Sequence, residues 1–210
     1  MSWQRYEGGA ADWDKEVERL GGSFYQSYGW GEVRRLNGWL PLRLIAIKDE
    51  TYVAFVCVLV KRKLGVAVCW VPGGLSGAVD YLDDRFQKFL LRELETPFVY
   101  CRLGFLRKNE DMTSISLNGL NWVDPTVKLN SGLTMFYDCK GSESSRLERL
   151  SGNWRHNLKR SNRYGLRVDH WTSPDPYEMS ALYREMEEFK SLPTQHSEAE
   201  LIGLMQTLGR

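Results

Sequence analysis

The side chains in this chain whose type and spacing suit chemistry are mainly cations and glycines rather than nucleophiles. Arg34 follows Trp30 by four residues, so on a helix the two share a face and offer an aromatic plane beside a fixed positive charge suited to phosphate. Arg34 can equally be a solvated arginine beside Arg35. In VPGGLSGA, Gly73 and Gly74 fall between an apolar run and a helical pattern, where backbone amides can meet an anion at a helix start or glycines can simply make a turn. Arg102 sits inside the apolar stretch FVYCRLGF, and a buried arginine needs partners, so an ion pair and a ligand contact both suit it. Arg155, Lys159 and Arg163 recur every four residues in WRHNLKRSNRYG, forming a basic strip without an interleaved acid. Its alternatives are an anion contact, or a solvated face paired with acids such as Glu143 and Glu148.

The remaining reactive types lack the spacing their chemistry needs. Cys57, Cys69, Cys101 and Cys139 stand singly in apolar segments, without the paired spacing of zinc or redox sites, and read as buried thiols. His156, His170 and His196 have neither metal-ligand spacing nor a nucleophile motif. The sequence names no general base.

The elements that must position these residues follow from periodicity. Trp13, Val17 and Leu20 mark a helix stopped by Gly21 and Gly22, and YGWGEVRRLNGW marks a second ending near Gly38. Residues 42–47, 52–60 and 66–71 are apolar, β-branched runs expected as strands covered on both faces. An amphipathic helix carrying Leu82, Phe86, Phe89 and Leu90 leads to a strand over 98–103. A weaker helix over 111–117 and strands over 121–129 and 133–139 then close a first unit.

From Lys140 the polar KGSESS acts as a linker, followed by a helix with Leu147, Leu150, Trp154 and Leu158 on a core-facing side. A strand over 166–171, a helix with Met179, Leu182, Met186 and Phe189, and a last helix with Leu201, Leu204, Met205 and Leu208 complete the series. No strand follows to cover that last stripe, so the tail from Ser173 is expected to be loosely held. The pattern predicts an α/β (α+β) protein: residues 1–140 as a first domain with helices against a mixed sheet, 141–165 as linker and basic helix, and 166–210 as the incomplete start of a second.

Two stretches carry a family likeness. FYQSYGWGEVRRLNGWLPLRLIAI, running into VAFVCVLV, resembles the FemABX family's helix with a Gln-x-x-x-Trp-x-x-x-Lys/Arg pattern followed by strands. LSGNWRHNLKRSNRYGLRV is similar to the basic helix and glycine-bounded strand that join that family's two halves. The resemblance implies a GNAT-like domain followed by the start of a second one, with about half of the second beyond this sequence. It also implies transfer of an amino acid from aminoacyl-tRNA to a peptidoglycan precursor. The match puts Arg34 at the precursor's diphosphate and the basic strip beside the substrate cleft; Arg102 matches a family Arg-x-Asp-Pro strand end in which Gly104 and Phe105 replace the last two residues. GNAT enzymes bind the pyrophosphate of coenzyme A at a loop corresponding to Gly73 and Gly74, although the longer consensus is missing.

The expected donor is therefore charged tRNA, with no bound cofactor or metal; the alternative is an acyl-CoA donor acting on a sugar or amino acid, since one fold serves both. A non-enzymatic RNA-binding module using the basic helix is the reading from another class. Against it stand 28 basic and 27 acidic residues, a balance without bulk attraction to nucleic acid or membrane. The longest apolar run, Val53 to Val60, is far shorter than the ~18 residues of a spanning helix, so a cytoplasmic protein without stable membrane insertion is expected.

Overall fold

The computed structural model describes residues 1–106, 117–123, 125–127, 138–192 and 198–208. The expected helix over 111–117 except its last residue, most of the strand over 133–139, and the side chain of Leu208 lie outside the described residues; of the expected strand over 121–129, residues 121–123 and 125–127 are described and form turn and bend rather than strand. Contacts group the chain into two units, Met1–Val123 with Asp175–Arg210, and Asp124–Pro174.

The first unit is built on a mixed sheet. Its strands are β1 (Ser2–Arg5), β2 (Leu40–Lys48), β3 (Thr51–Lys63), β4 (Val66–Gly73), β5 (Ser76–Gly77) and β6 (Phe98–Phe105). The order is β1-β2-β3-β4-β6, with β5 added to β3. Asp49-Glu50 and Leu64-Gly65 both have positive φ at two successive residues, the geometry that lets two-residue hairpins match strand twist, so β2, β3 and β4 run antiparallel. β6 joins β4 in parallel, which requires the crossover helix α3 (Asp84–Leu94). Asp83 starts that helix by accepting bonds from the amides of Arg85 and Phe86.

Alternation along the strands sends two apolar sets to opposite faces. Leu44, Val56, Val58, Cys69 and Val71 meet Phe86, Leu90 and Leu94 of α3. Ile45, Phe55, Cys57 and Leu59 meet Trp13 and Val17 of α1 (Ala10–Arg19), beside which lies α2 (Tyr28–Leu36). The expected helices and strands through residue 105 therefore form, while β1, too short for periodicity to reveal, adds an edge strand anchored by buried Trp3 against Phe86.

One side chain completes the sheet where the strands part. β3 pairs with β4 from Leu59↔Trp70 onward and with β5 at Ala54↔Gly77 and Phe55↔Ser76. Between these stretches Gln26, fully buried, takes the place of a peptide unit. Its Oε1 accepts from the Cys57 amide at 2.6 Å and its Nε2 donates to the Pro72 carbonyl at 2.7 Å. The amide orientation is forced, since a donor faces one end and an acceptor the other.

The end of the chain departs from expectation. α6 (Pro176–Phe189) and α7 (Glu198–Leu208) belong to the first unit, and α7 packs on α2, burying Leu201 and bringing Gly203 against Leu36. The tail from Ser173 is thus partly covered, by a helix rather than by strands. In α6 the buried positions are Ser180 and Glu187, whereas Leu182 and Phe189 are exposed, so its inward face is rotated from the expected apolar one.

The second unit, taken by itself, contains α4 (Glu143–Arg149) and α5 (Gly152–Arg163), each opened by a serine cap, Ser142 and Ser151. Trp154 and Leu158 do not face a core: they are 65% and 41% exposed. Residues 166–171 form no strand, because no neighbouring strand among the described residues pairs with them, and Val168 is exposed. Cys139 is also exposed, unlike buried Cys57 and Cys69 and half-buried Cys101.

Replacing Gln26 with leucine keeps its bulk but leaves the Cys57 amide and the Pro72 carbonyl buried without partners. Each such loss costs about 1–3 kcal/mol, so Gln26→Leu is expected to lower unfolding stability by about 2–6 kcal/mol with an unchanged urea m-value. A urea midpoint equal to that of the unsubstituted protein contradicts the clamp.

Candidate functional site

The site is assembled on α2. Gln26 pins the preceding turn to the sheet, and the Ser27 hydroxyl then caps the helix by accepting from the Trp30 amide at 3.2 Å. Trp30 and Arg34 follow one turn apart, the arrangement expected from their spacing. Gly31, between them and buried, lets the helix approach the sheet: a Cβ there would lie 2.8 Å from Arg43 Nη2 and 3.2 Å from the Pro41 side chain.

Arg34 is held by rings and a carboxylate. Its guanidinium carbon lies 5.6 Å from the Trp30 ring centre and 5.8 Å from that of Trp70 on β4. Nη1 donates to Glu200 Oε1 of α7 at 3.0 Å, with the two side chains 19% and 14% exposed. The sequence offered a solvated arginine as one alternative; the structure instead seats it in a largely buried ion pair. Arg34 Nε and Trp30 Nε1 are buried and find no acceptor among the described residues. Buried donors left without partners cost about 1–3 kcal/mol each, so the cluster holds unused hydrogen-bonding capacity.

The parallel register of β4 and β6 aligns Trp70 with Arg102, placing Arg102 on the same sheet face as the Arg34 cluster. Trp39 extends the aromatic surface, 5.9 Å from Trp70, and Lys61 Nζ lies 4.8 Å from the Trp39 ring centre. The spacing of Trp30 and Arg34 thus identified two members. It missed Trp70, Trp39, Lys61 and Glu200, which only strand pairing and helix packing bring near.

Gly73 and Gly74 end β4, and both have φ of +75°, where glycine is favoured. A Cβ on Gly73 would overlap Ser23, and one on Gly74 would overlap the Phe105 ring. Their identity follows from turn and packing. Arg155, Lys159 and Arg163 lie in the second unit, exposed along α5 and about 6 Å apart in axial rise. Among the described residues none of the three is ion-paired, and Glu143 and Glu148 do not pair with them.

Arg43, which periodicity absorbed into an apolar strand, holds the underside of α2. Its Nη2 donates to the Tyr28 carbonyl at 2.9 Å and to Glu32 Oε1 at 2.8 Å, and its guanidinium carbon stands 3.5 Å from the Tyr28 ring centre. Burial alone would raise the Glu32 carboxyl pKa, but hydrogen bonds and charge from Arg35 and Arg43 outweigh it and hold the group below the ordinary range. The thiol of Cys57 nearby is pushed up to about 12, first by burial and against the pull of Arg43, so it stays protonated and unreactive. Cys69 is likewise raised to about 12 by burial.

No group of three His, Cys, Asp or Glu side chains among the described residues is arranged to hold a metal, and no described helix is long and apolar enough to cross a membrane. The mixed sheet flanked by helices is a FemABX-like fold. The crystal structure of FemX matches it with a TM-score of 0.70 at 15% sequence identity, covering 99% of this chain and 55% of FemX. The chain therefore spans about half the length of that structure, and at this identity the likeness is one of fold. No family model matches the sequence, nor does any curated protein.

The Glu32 network carries a pH dependence of defined sign. A carboxyl whose folded pKa is depressed contributes stability that is present above its unfolded pKa and lost as pH falls through the folded value. Glu32→Gln is therefore expected to destabilise the protein at pH 7, and the gap should close below the ordinary value of 4.5. Urea midpoints of both proteins across that range test this; a gap independent of pH would exclude an ionised Glu32 as its source.

Proposed function

We propose that this chain serves aminoacyl transfer, from aminoacyl-tRNA to the peptide of a peptidoglycan precursor, in the cytoplasm. The acceptor amine attacks the ester carbonyl, the amide C–N bond forms as the ester C–O bond breaks, and the amine's proton ends on the ribose oxygen of the departing tRNA. Such a reaction is promoted by positioning and by donors aimed at the developing oxyanion. The observation that carries this reading is the fold likeness to FemX along nearly the whole chain. It is supported by Arg34, whose family position is the precursor's diphosphate and whose guanidinium is fixed between Trp30 and Trp70.

In this reading Arg34, oriented by Trp30, binds the diphosphate, and Arg102 adds positive charge on the same face. The turn at Gly73 and Gly74 would offer backbone amides to the substrate. The strip of Arg155, Lys159 and Arg163 contacts the anions of charged tRNA or precursor. An acyl-CoA donor is the second reading, favoured by the parallel β4–β6 pair ending in the Gly73-Gly74 turn.

Donor trials separate the two. Precursor-dependent consumption of charged tRNA supports the first, release of free coenzyme A in the presence of an amine acceptor supports the second, and neither product sinks both. Arg34→Ala is expected to weaken binding of a diphosphate-bearing precursor by about 1.5–3 kcal/mol, the worth of a charge-assisted hydrogen bond. Because that change also leaves Glu200 without its arginine, affinity is read only where a thermal melt shows the variant folded. Reversing Arg155 and Lys159 to glutamate is expected to weaken tRNA binding and flatten its salt dependence, since fewer counterions are released. An unchanged salt slope would remove the strip from the interface.

A further inference from the structure

We propose that Glu200 is a built-in counter-anion at Arg34, holding the position of a ligand phosphate, so that an anionic substrate binds by displacing a carboxylate of this same chain. The inference rests on the reading of Arg34 as the diphosphate contact and adds to it a residue that sets the affinity of that contact.

A guanidinium presents five N–H donors in a planar fork, suited to two acceptor oxygens at once. In the structure Nη1 donates to Glu200 Oε1 at 3.0 Å. Nε, on another edge of the fork, is buried and has no acceptor among the described residues, and the same is true of Trp30 Nε1 in the stacked ring. A carboxylate offers two oxygens, whereas a diphosphate offers several, disposed to reach both edges of the fork. The cluster is therefore better matched in donor number to a phosphate than to the group it holds.

The geometry also gives exchange a simple route. Trp30 and Trp70, with ring centres 5.6 Å and 5.8 Å from the guanidinium carbon, keep Arg34 in place while its partner changes. Glu200 lies in the first turn of α7, alongside Glu198, where the helix dipole favours negative charge. A displaced carboxylate therefore remains in a favourable field. Leu201, next in the chain and buried, keeps α7 docked on α2 throughout.

The test is calorimetric titration of the whole chain with inorganic pyrophosphate. Glu200→Gln preserves the size and the acceptor oxygen but removes the competing charge. It is expected to bind pyrophosphate about tenfold more tightly than the unsubstituted protein, a change of about 1.4 kcal/mol. Adding Arg34→Ala should abolish that gain. Glu200→Asp, one methylene shorter, should also tighten binding, and provides the same reading if Glu200→Gln lowers the thermal midpoint. Equal affinity with and without Glu200, in proteins that lose binding on Arg34→Ala, overturns the counter-anion while leaving Arg34 as the diphosphate contact. A gain that survives Arg34→Ala overturns it as well. The expected gain in a protein that turns over neither charged tRNA nor acyl-CoA upholds the counter-anion and removes the transferase reading. If none of the variants binds pyrophosphate, the counter-anion and the diphosphate contact fall together.

Discussion

The Gln26 side chain is the interaction on which the position of every candidate site residue in the first unit depends. A sheet whose strands part leaves an amide and a carbonyl buried, and burial without partners is expensive enough to close the gap or admit water. Gln26 prevents both by inserting its own amide between Cys57 and Pro72. Its backbone carbonyl also accepts from Trp13 Nε1 at 2.7 Å, which ties α1 to the same point. The Gln-x-x-x-Trp-x-x-x-Arg pattern thus has a mechanical reading. Gln26 fixes the chain to the sheet, the next residue caps α2, and Trp30 and Arg34 follow at one-turn intervals over β4.

Charge in this unit is buried only where rings and carboxylates receive it. Arg43 lies against Tyr28 and Glu32, and Arg34 lies near Trp30 and Trp70 with Glu200. The two arginines differ in where their carboxylate partner comes from. Arg43 uses Nη2 for both a carbonyl and a carboxylate of the helix it supports, and its Nε, like that of Arg34, is buried without an acceptor among the described residues. Arg34 meets a carboxylate from an element remote in sequence, beside orphaned donors. A buried pair is weak grounds for stability, because desolvation offsets much of the attraction, and this directs attention to Arg34 as a place where charge is kept for a ligand.

Local pattern made the framework legible and long-range pairing obscured the rest. The apolar runs of β3 and β4 and the stripe of α3 were visible because each carries its own period, and the hairpin at Leu64-Gly65 was marked by a polar interruption. Four residues of β1 and two of β5 are too few to show a period, and they exist only by pairing with β2 and β3. Arg43 was hidden because a strand covered on both faces reads as apolar throughout, and one cation does not reveal the ring and carboxylate that receive it. Trp154 and Leu158 repeat at helical spacing, but spacing states only that they share a face, not that anything covers it. The same limit applied in reverse to α7, whose stripe finds a helix as its partner.

Two places in the first unit suggested anion binding from sequence, and the structure weighs them differently. At Gly73 and Gly74 the left-handed backbone and the nearness of Ser23 and Phe105 each suffice to demand glycine, so the residue type there carries no information about a ligand. At Arg34 no such explanation is complete. Packing alone could be met by an apolar residue between Trp30 and Trp70, without the cost of desolvating a guanidinium and a carboxylate together. Nor does the pair use the donors it buries. Unlike Arg43, whose carboxylate belongs to the helix it supports, Arg34 meets one from a remote element, and a guanidinium held by two indoles with donors left over is suited to exchanging one anion for another.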